Sequence, residues 1–163
     1  NELIVNQYGA IILITLIKHT KEKYIFKTIA EYISNNNPLC FIKHPYSNYV
    51  IQALLIHTNQ EFCEDIIKSI VNNYLILSLQ KNSNKVVENC IKYGKNSNVK
   101  KIFNNVLEEN NLICLLNNCY GNFVIEKLIA KLNKEEKNMI IEKLEEYGKL
   151  EEISNSIKSL LYR

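Results

Sequence analysis

Apolar positions recur along the chain in one pattern. The segments "YGAIILITLI" (8–17), "YSNYVIQALL" (46–55), "NSNKVVENCI" (82–91) and "YGNFVIEKLI" (120–129) begin 38, 36 and 38 residues apart, which makes the chain a repeat array. The same four offsets are apolar in each copy: Ile12, Leu13, Leu16 and Ile17; Val50, Ile51, Leu54 and Leu55; Val86, Val87, Cys90 and Ile91; Val124, Ile125, Leu128 and Ile129. Spacing of i, i+1, i+4 and i+5 draws a stripe down one side of an α-helix, whereas a strand would alternate. One helix cannot cover such a stripe alone, so the copies are expected to stack into an all-α solenoid with a continuous core.

Further helical patterns lie between these segments: "KEKYIFKTIAEYI" (21–33), "NQEFCEDIIKSIV" (59–71), "NVKKIFNNVLEE" (98–109) and "KEEKNMIIEKLEEY" (134–147). Thr58 and Glu61 have the spacing of a capping box that would start the second of them. Short apolar pieces, "PLCFIKH" (38–44), "LILSLQ" (75–80) and "LICLLNN" (112–118), lead back into the motif helix, with Pro38 suited to the first turn of one. The unit is therefore three helices in about 37 residues, with copies at about 1–35, 36–73, 74–110 and 111–147. Gly9 and Gly121 share one offset, at the start of the motif helix. The last segment, 148–163, keeps helical periodicity without the motif and is expected to cap the array, while the acidic "EKLEEYGKLEE" (142–152) reads as a solvated helix face.

Three polar or aromatic positions also recur. Copy two has Asn48, Tyr49 and Gln52, copy three Asn84, Lys85 and Glu88, and copy four Asn122, Phe123 and Glu126, whereas copy one has Ala10, Ile11 and Ile14. The first and third members are four residues apart, so they share a helix face and can address one flat polar edge together. The middle member is offset around the helix, where an aromatic ring or a cationic stem can stack on a base. Two amides match the acceptor, donor, acceptor edge of uracil, and a carboxylate suits the adjacent N1–H and N2–H donors of guanine. Gln52 is thus expected to favour uracil, and Glu88 and Glu126 guanine.

Composition changes this picture little. The 163 residues, 47% hydrophobic and 23% charged, fit one domain, and a net charge of +3 permits a nucleic-acid partner without pointing to one. Five cysteines, an odd number without CxxC, indicate a reducing compartment, cytosol or nucleus. No apolar run reaches the ~18 residues that would span a bilayer, and the start lacks both a basic leader and an initiator Met, as in an excised domain.

The segments "YSNYVIQALL", "SNKVVENCI" and "YGNFVIEKLI" resemble Pumilio (PUF) RNA-binding repeats, most strongly over 38–147, and their order resembles the C-terminal half of a PUF domain. The resemblance implies a right-handed α-solenoid with a C-terminal helical cap, holding the last four of eight repeats. It also implies that the inner face binds single-stranded RNA antiparallel to the protein, one base per repeat. By position, the edge readers are Asn48 with Gln52, Asn84 with Glu88 and Asn122 with Glu126, and the stacking residues are Tyr49, Lys85 and Phe123. Family members commonly read a UGU core with SNxxE in the middle copy and NYxxQ in the last. Here Asn84 replaces the Ser and Glu126 the Gln, so the expected core is 5′-(G or U)-G-U-3′. The resemblance further implies a cytoplasmic, monomeric regulator of messenger RNA that recruits protein co-repressors.

Two other binding readings fit the repeats: a divergent nucleolar branch of the same superfamily, binding RNA with little base preference in ribosome assembly, and a HEAT- or armadillo-like scaffold for a peptide. An enzyme has least support, since GxGxxG, GxxxxGK[ST] and HExxH are all absent. His19 and His57 recur at one offset, near a helix C-terminus whose dipole favours them, and His44 has no paired nucleophile or carboxylate. No cofactor or metal is expected.

Overall fold

A computed structural model describes residues 2–108 and 110–163. Asn1 and Glu109, the last residue of the pattern at 98–109, lie outside the described residues. Thirteen α-helices and one 3-10 turn follow each other without a strand among the described residues. They fall into triplets: α1 (Glu2–Val5), α2 (Gln7–His19) and α3 (Lys23–Asn35); α4 (Pro38–Lys43), α5 (Ser47–His57) and α6 (Glu64–Asn72), the last preceded by the 3-10 turn Gln60–Cys63. Then come α7 (Tyr74–Ser78), α8 (Asn84–Tyr93) and α9 (Asn96–Leu107), and α10 (Asn111–Leu116), α11 (Gly121–Ile129) and α12 (Lys134–Glu146), with α13 (Asn155–Leu161) at the end.

The second helices form one row, α2 on α5, α5 on α8, α8 on α11, and α13 covers the end of α11. The third helices form another, with α3 against α6 and α6 against α9. The repeating stripe explains the order: in copies two to four all four of its positions are buried. Of the same stripe in α2 only Ile17 is buried, while Ile12 and Leu16 stand exposed, with no further motif helix among the described residues to cover them. Each fully covered Leu or Ile is worth about 1.5–3 kcal/mol relative to exposure, so the stack stabilises the later copies more than the first.

The turn into each second helix is built from short polar side chains that periodicity did not reveal. Two residues before the motif segments of copies one and four, Asn6 Oδ1 accepts from the Tyr8 and Gly9 amides (2.9 and 3.2 Å), and Asn118 Oδ1 accepts from Tyr120 and Gly121 (2.9 and 3.0 Å). His44 does the same work in copy two, its Nδ1 accepting from the Tyr46 and Ser47 amides at 3.2 and 3.4 Å, so its role is structural. His44→Asn is therefore expected to preserve stability, and His44→Ala to cost about 1 kcal/mol in urea unfolding, as losing a helix cap does.

Three positions after these caps, at the second residue of the motif segment, the first and second helices approach closely. A Cβ on Gly121 would lie 2.5 Å from the Leu115 carbonyl oxygen and 2.9 Å from its Cα, both backbone atoms. At the same offset Ser47 and Ser83 are fully buried and donate to the carbonyls of Phe41 and Leu77, each at 2.7 Å. Ser47→Ala and Ser83→Ala leave those carbonyls one donor short, and each is expected to lose about 1–3 kcal/mol of unfolding free energy in a urea melt.

Two expectations are corrected. Thr58 and Glu61 form no capping box: the Thr58 hydroxyl donates back to the Leu54 carbonyl (2.8 Å) at the end of α5, and Asn59 caps the 3-10 turn by accepting from the Glu61 amide (3.3 Å). The reciprocal box stands instead at Asn133 and Glu136, the start of α12. Nor is 142–152 one helix face. Gly148 takes a φ of +63°, and the Gly148 and Lys149 amides return to the Glu145 and Leu144 carbonyls, which ends α12. Glu151 and Glu152, in the turn before α13, pair with Lys158 of that helix and with Lys149.

All five cysteines are free. Burial pushes the Cys63 thiol up to about 11 against an opposing hydrogen bond from Thr58, and burial, with the nearby Cys63, pushes Cys90 up to about 12. Both therefore stay protonated at neutral pH and act as small apolar core residues.

Candidate nucleic-acid interface

The three polar triads sit at the starts of α5, α8 and α11, in the row of second helices, and each is arranged differently. In α5, Asn48 is only 2% exposed. Its Nδ2 donates to the carbonyls of His44 (2.7 Å) and Pro45 (3.0 Å), the first residues of the turn from α4. Its Oδ1 accepts from Gln52 Nε2 at 2.9 Å. Gln52 is half-buried, and its Oε1 accepts from Asn89 Nδ2 of α8 at 3.1 Å. The accessible amide of this pair is thus Gln52, with Asn48 anchored behind it. Tyr49 is 56% exposed beside them.

In α8, Asn84 and Glu88 are 3% and 7% exposed. A carboxylate cannot donate as Gln52 does, and Asn84 Oδ1 is left buried without a partner. Lys85 Nζ reaches the two Glu88 oxygens at 2.9 and 3.0 Å, and also lies 5.1 Å from the centre of the Phe123 ring on α11. The predicted stacking residue of copy three is therefore tied to its own reader and to the stacking residue of copy four. A buried carboxylate with one cation and an orphan carbonyl beside it form a set of acceptors, suited to an edge rich in N–H donors.

In α11, Asn122 and Glu126 are half-buried, and no hydrogen bond among the described residues holds either side chain. Phe123 is half exposed. In α2 the equivalent Ala10 is buried and Ile11 exposed, so this copy offers an apolar surface at the same place. The sequence reading missed Asn89, because it belongs to no triad and meets Gln52 only through stacking of α8 on α5. The capping residues Asn6, His44 and Asn118 were legible in principle, since they recur two residues before the motif.

Comparison with known proteins agrees with this architecture. The profile of the Pumilio-family RNA binding repeat matches residues 40–71, 73–107 and 115–145, leaving the first triplet outside. Pumilio homolog 12 of Arabidopsis thaliana is 26% identical over 130 residues, 80% of this chain and 22% of that protein. Pumilio homolog 11 of the same plant is 26% identical over 149 residues, 91% of this chain and 26% of that protein. Among solved structures, the RNA-binding domain of yeast Puf5p bound to SMX2 RNA superposes with a TM-score of 0.82 at 21% identity, over 98% of this chain and 47% of that one. The Puf3 RNA binding domain bound to the Cox17 RNA 3′ UTR recognition sequence site A gives 0.77 at 25% identity, over 98% and 50%. The chain thus spans about a quarter of the curated relatives and about half of the solved domains. With helices α1–α12 stacked as three-helix units, α13 closing the end and the repeat profile covering more than half its length, the chain belongs to the Pumilio family of RNA-binding repeat proteins.

Proposed function

We propose that this chain binds single-stranded RNA along the concave row of second helices, reading 5′-(G or U)-G-U-3′ with copies four, three and two in that order. The observation that carries this reading is the recurrence of a polar pair with a neighbouring ring or cation at the start of α5, α8 and α11, each pair differing in donors and acceptors. Gln52 keeps one N–H and one carbonyl lone pair beyond its internal bonds, which fits neighbouring acceptor and donor groups of uracil. Glu88, with Asn84 buried behind it, offers its carboxylate to the N1–H and N2–H of guanine. Tyr49 and Phe123 supply exposed faces for stacking.

Three stacked bases contribute roughly 3–9 kcal/mol before ordering costs, which limits binding by this chain to about micromolar at best. In this reading 1–163 is part of one RNA-binding domain, monomeric and cytoplasmic, with copies at about 1–35, 36–73, 74–110 and 111–147. It occupies messenger RNA 3′ untranslated regions and recruits partners that repress translation or promote decay. The function needs no catalytic step and no cofactor.

The apolar Ala10, Ile11 and Ile14 at the reader offset of copy one favour a second reading, the nucleolar type that grips the RNA backbone with little base preference. Fluorescence anisotropy with labelled RNAs carrying GGU, UGU or scrambled cores, at two salt concentrations, separates the two. Base reading predicts selective binding with a shallow salt dependence. Equal binding to all three RNAs that falls steeply with salt contradicts it.

A further inference from the structure

The reader amide Gln52 is held from both sides, and only one of the two holders belongs to its own triad. Its Nε2 donates to Asn48 Oδ1 on the same helix at 2.9 Å, and its Oε1 accepts from Asn89 Nδ2 on the next helix at 3.1 Å. A primary amide can turn over about its last torsion and exchange its donor and acceptor ends at little cost unless its partners forbid it. Asn48 cannot accommodate such a turn readily. Both protons of its own amide are committed to the His44 and Pro45 carbonyls, so its Oδ1 faces Gln52 and demands a donor there. Asn89 supplies the complementary demand at the other end, since Nδ2 offers only protons. The offset of Asn89 carries Thr15 in copy one, Ala53 in copy two and Lys127 in copy four, so the bond is particular to the α5–α8 junction.

We infer that Asn89 is a positioning residue for base selection by copy two: it fixes Gln52 in the orientation that accepts uracil and rejects cytosine. The inference rests on the RNA reading above and deepens it. Uracil presents N3–H as a donor beside carbonyl acceptors, whereas cytosine presents N4–H as a donor beside the acceptors N3 and O2. A Gln amide locked in one order of donor and acceptor matches only one of these edges at a given base position. One held by Asn48 alone has lost the second of its two restraints and turns over more often, so that it can match either. Asn89 thereby sets selectivity without needing to touch the RNA.

Asn89→Ala and Asn89→Asp test this against RNAs that differ only in the third core base, GGU and GGC. Asn89→Ala removes the donor, and Asn89→Asp keeps the shape while replacing the donor with an acceptor. The expected result for both is a roughly tenfold fall in the U-over-C preference, about 1.4 kcal/mol, chiefly through gained binding to GGC, with GGU affinity changed by less than about threefold. The side-chain amide resonance of Gln52 in ¹H–¹⁵N spectra of the RNA-free protein reports the hydrogen bond independently, and is expected to shift in both variants. Equal weakening toward both RNAs, or an unchanged preference, overturns the inference while leaving the RNA reading standing. A parent protein that binds GGU and GGC alike, with Gln52 resonances that respond to Asn89→Ala, overturns the base reading and the selectivity role together.

Discussion

Replacing Asn48 and Gln52 together by Ala is expected to weaken binding to a GGU RNA by about 10- to 100-fold and to erase the preference for U at the third base. Loss of hydrogen bonds to a base edge in a partly buried site costs about 1–3 kcal/mol when polar groups are left unpaired, which gives that range. The two residues contribute differently. Gln52 presents the accessible amide, whereas Asn48 is buried and ties the start of α5 to the His44 and Pro45 carbonyls. Gln52→Ala alone should therefore reduce binding without altering the melting curve appreciably, and Asn48→Ala should lower both. Anisotropy and thermal unfolding on the single and double variants check the division. Full retention of GGU selectivity by the double variant would remove α5 from the reading surface.

Lys85→Tyr is expected to tighten GGU binding by about tenfold. An aromatic ring at this position completes a series with Tyr49 and Phe123, and base–aromatic stacking is worth ~1–3 kcal/mol. The substitution also frees Glu88, whose oxygens Lys85 now holds at 2.9 and 3.0 Å, to accept from guanine. Without RNA the variant should be less stable than the parent, because the nearly buried Glu88 carboxylate loses its cation, and bound guanine should restore part of that loss. Anisotropy measures the gain, and thermal melts with and without RNA measure the exchange. Weaker binding by Lys85→Tyr would instead assign Lys85 to a phosphate contact.

Much of the fold could be read from apolar spacing because a solenoid repeats one local solution. The stripe of Val50, Ile51, Leu54 and Leu55 marks α5 and its analogues, and Pro38 opens α4 as its fixed φ predicts. Helix ends were harder. Thr58 has the right spacing to Glu61, but its hydroxyl joins its own amide on the Leu54 carbonyl at the end of α5, so it serves the outgoing helix and Asn59 the incoming turn. Gly148 divides the acidic run because it adopts the left-handed conformation that lets two amides return to the end of α12.

At the candidate site, spacing placed both members of each triad pair on one helix face but could not rank their accessibility. That ranking depends on backbone carbonyls of the preceding turn, which draw Asn48 inward and leave Gln52 outward. The Lys85 contact with Phe123 and the Asn89 contact with Gln52 both cross between stacked helices about one repeat apart, where single-copy spacing carries no information.

In the proposed function each triad reads one base through the donors and acceptors of its third residue. Gln52→Glu tests it most directly, since it exchanges the amide of copy two for the carboxylate present in copies three and four. Competition binding with the four RNAs GGA, GGC, GGG and GGU should show the preferred third base move from U to G, with the first two positions unchanged. A variant that keeps its preference for U, or that loses affinity equally for all four RNAs, would contradict the claim.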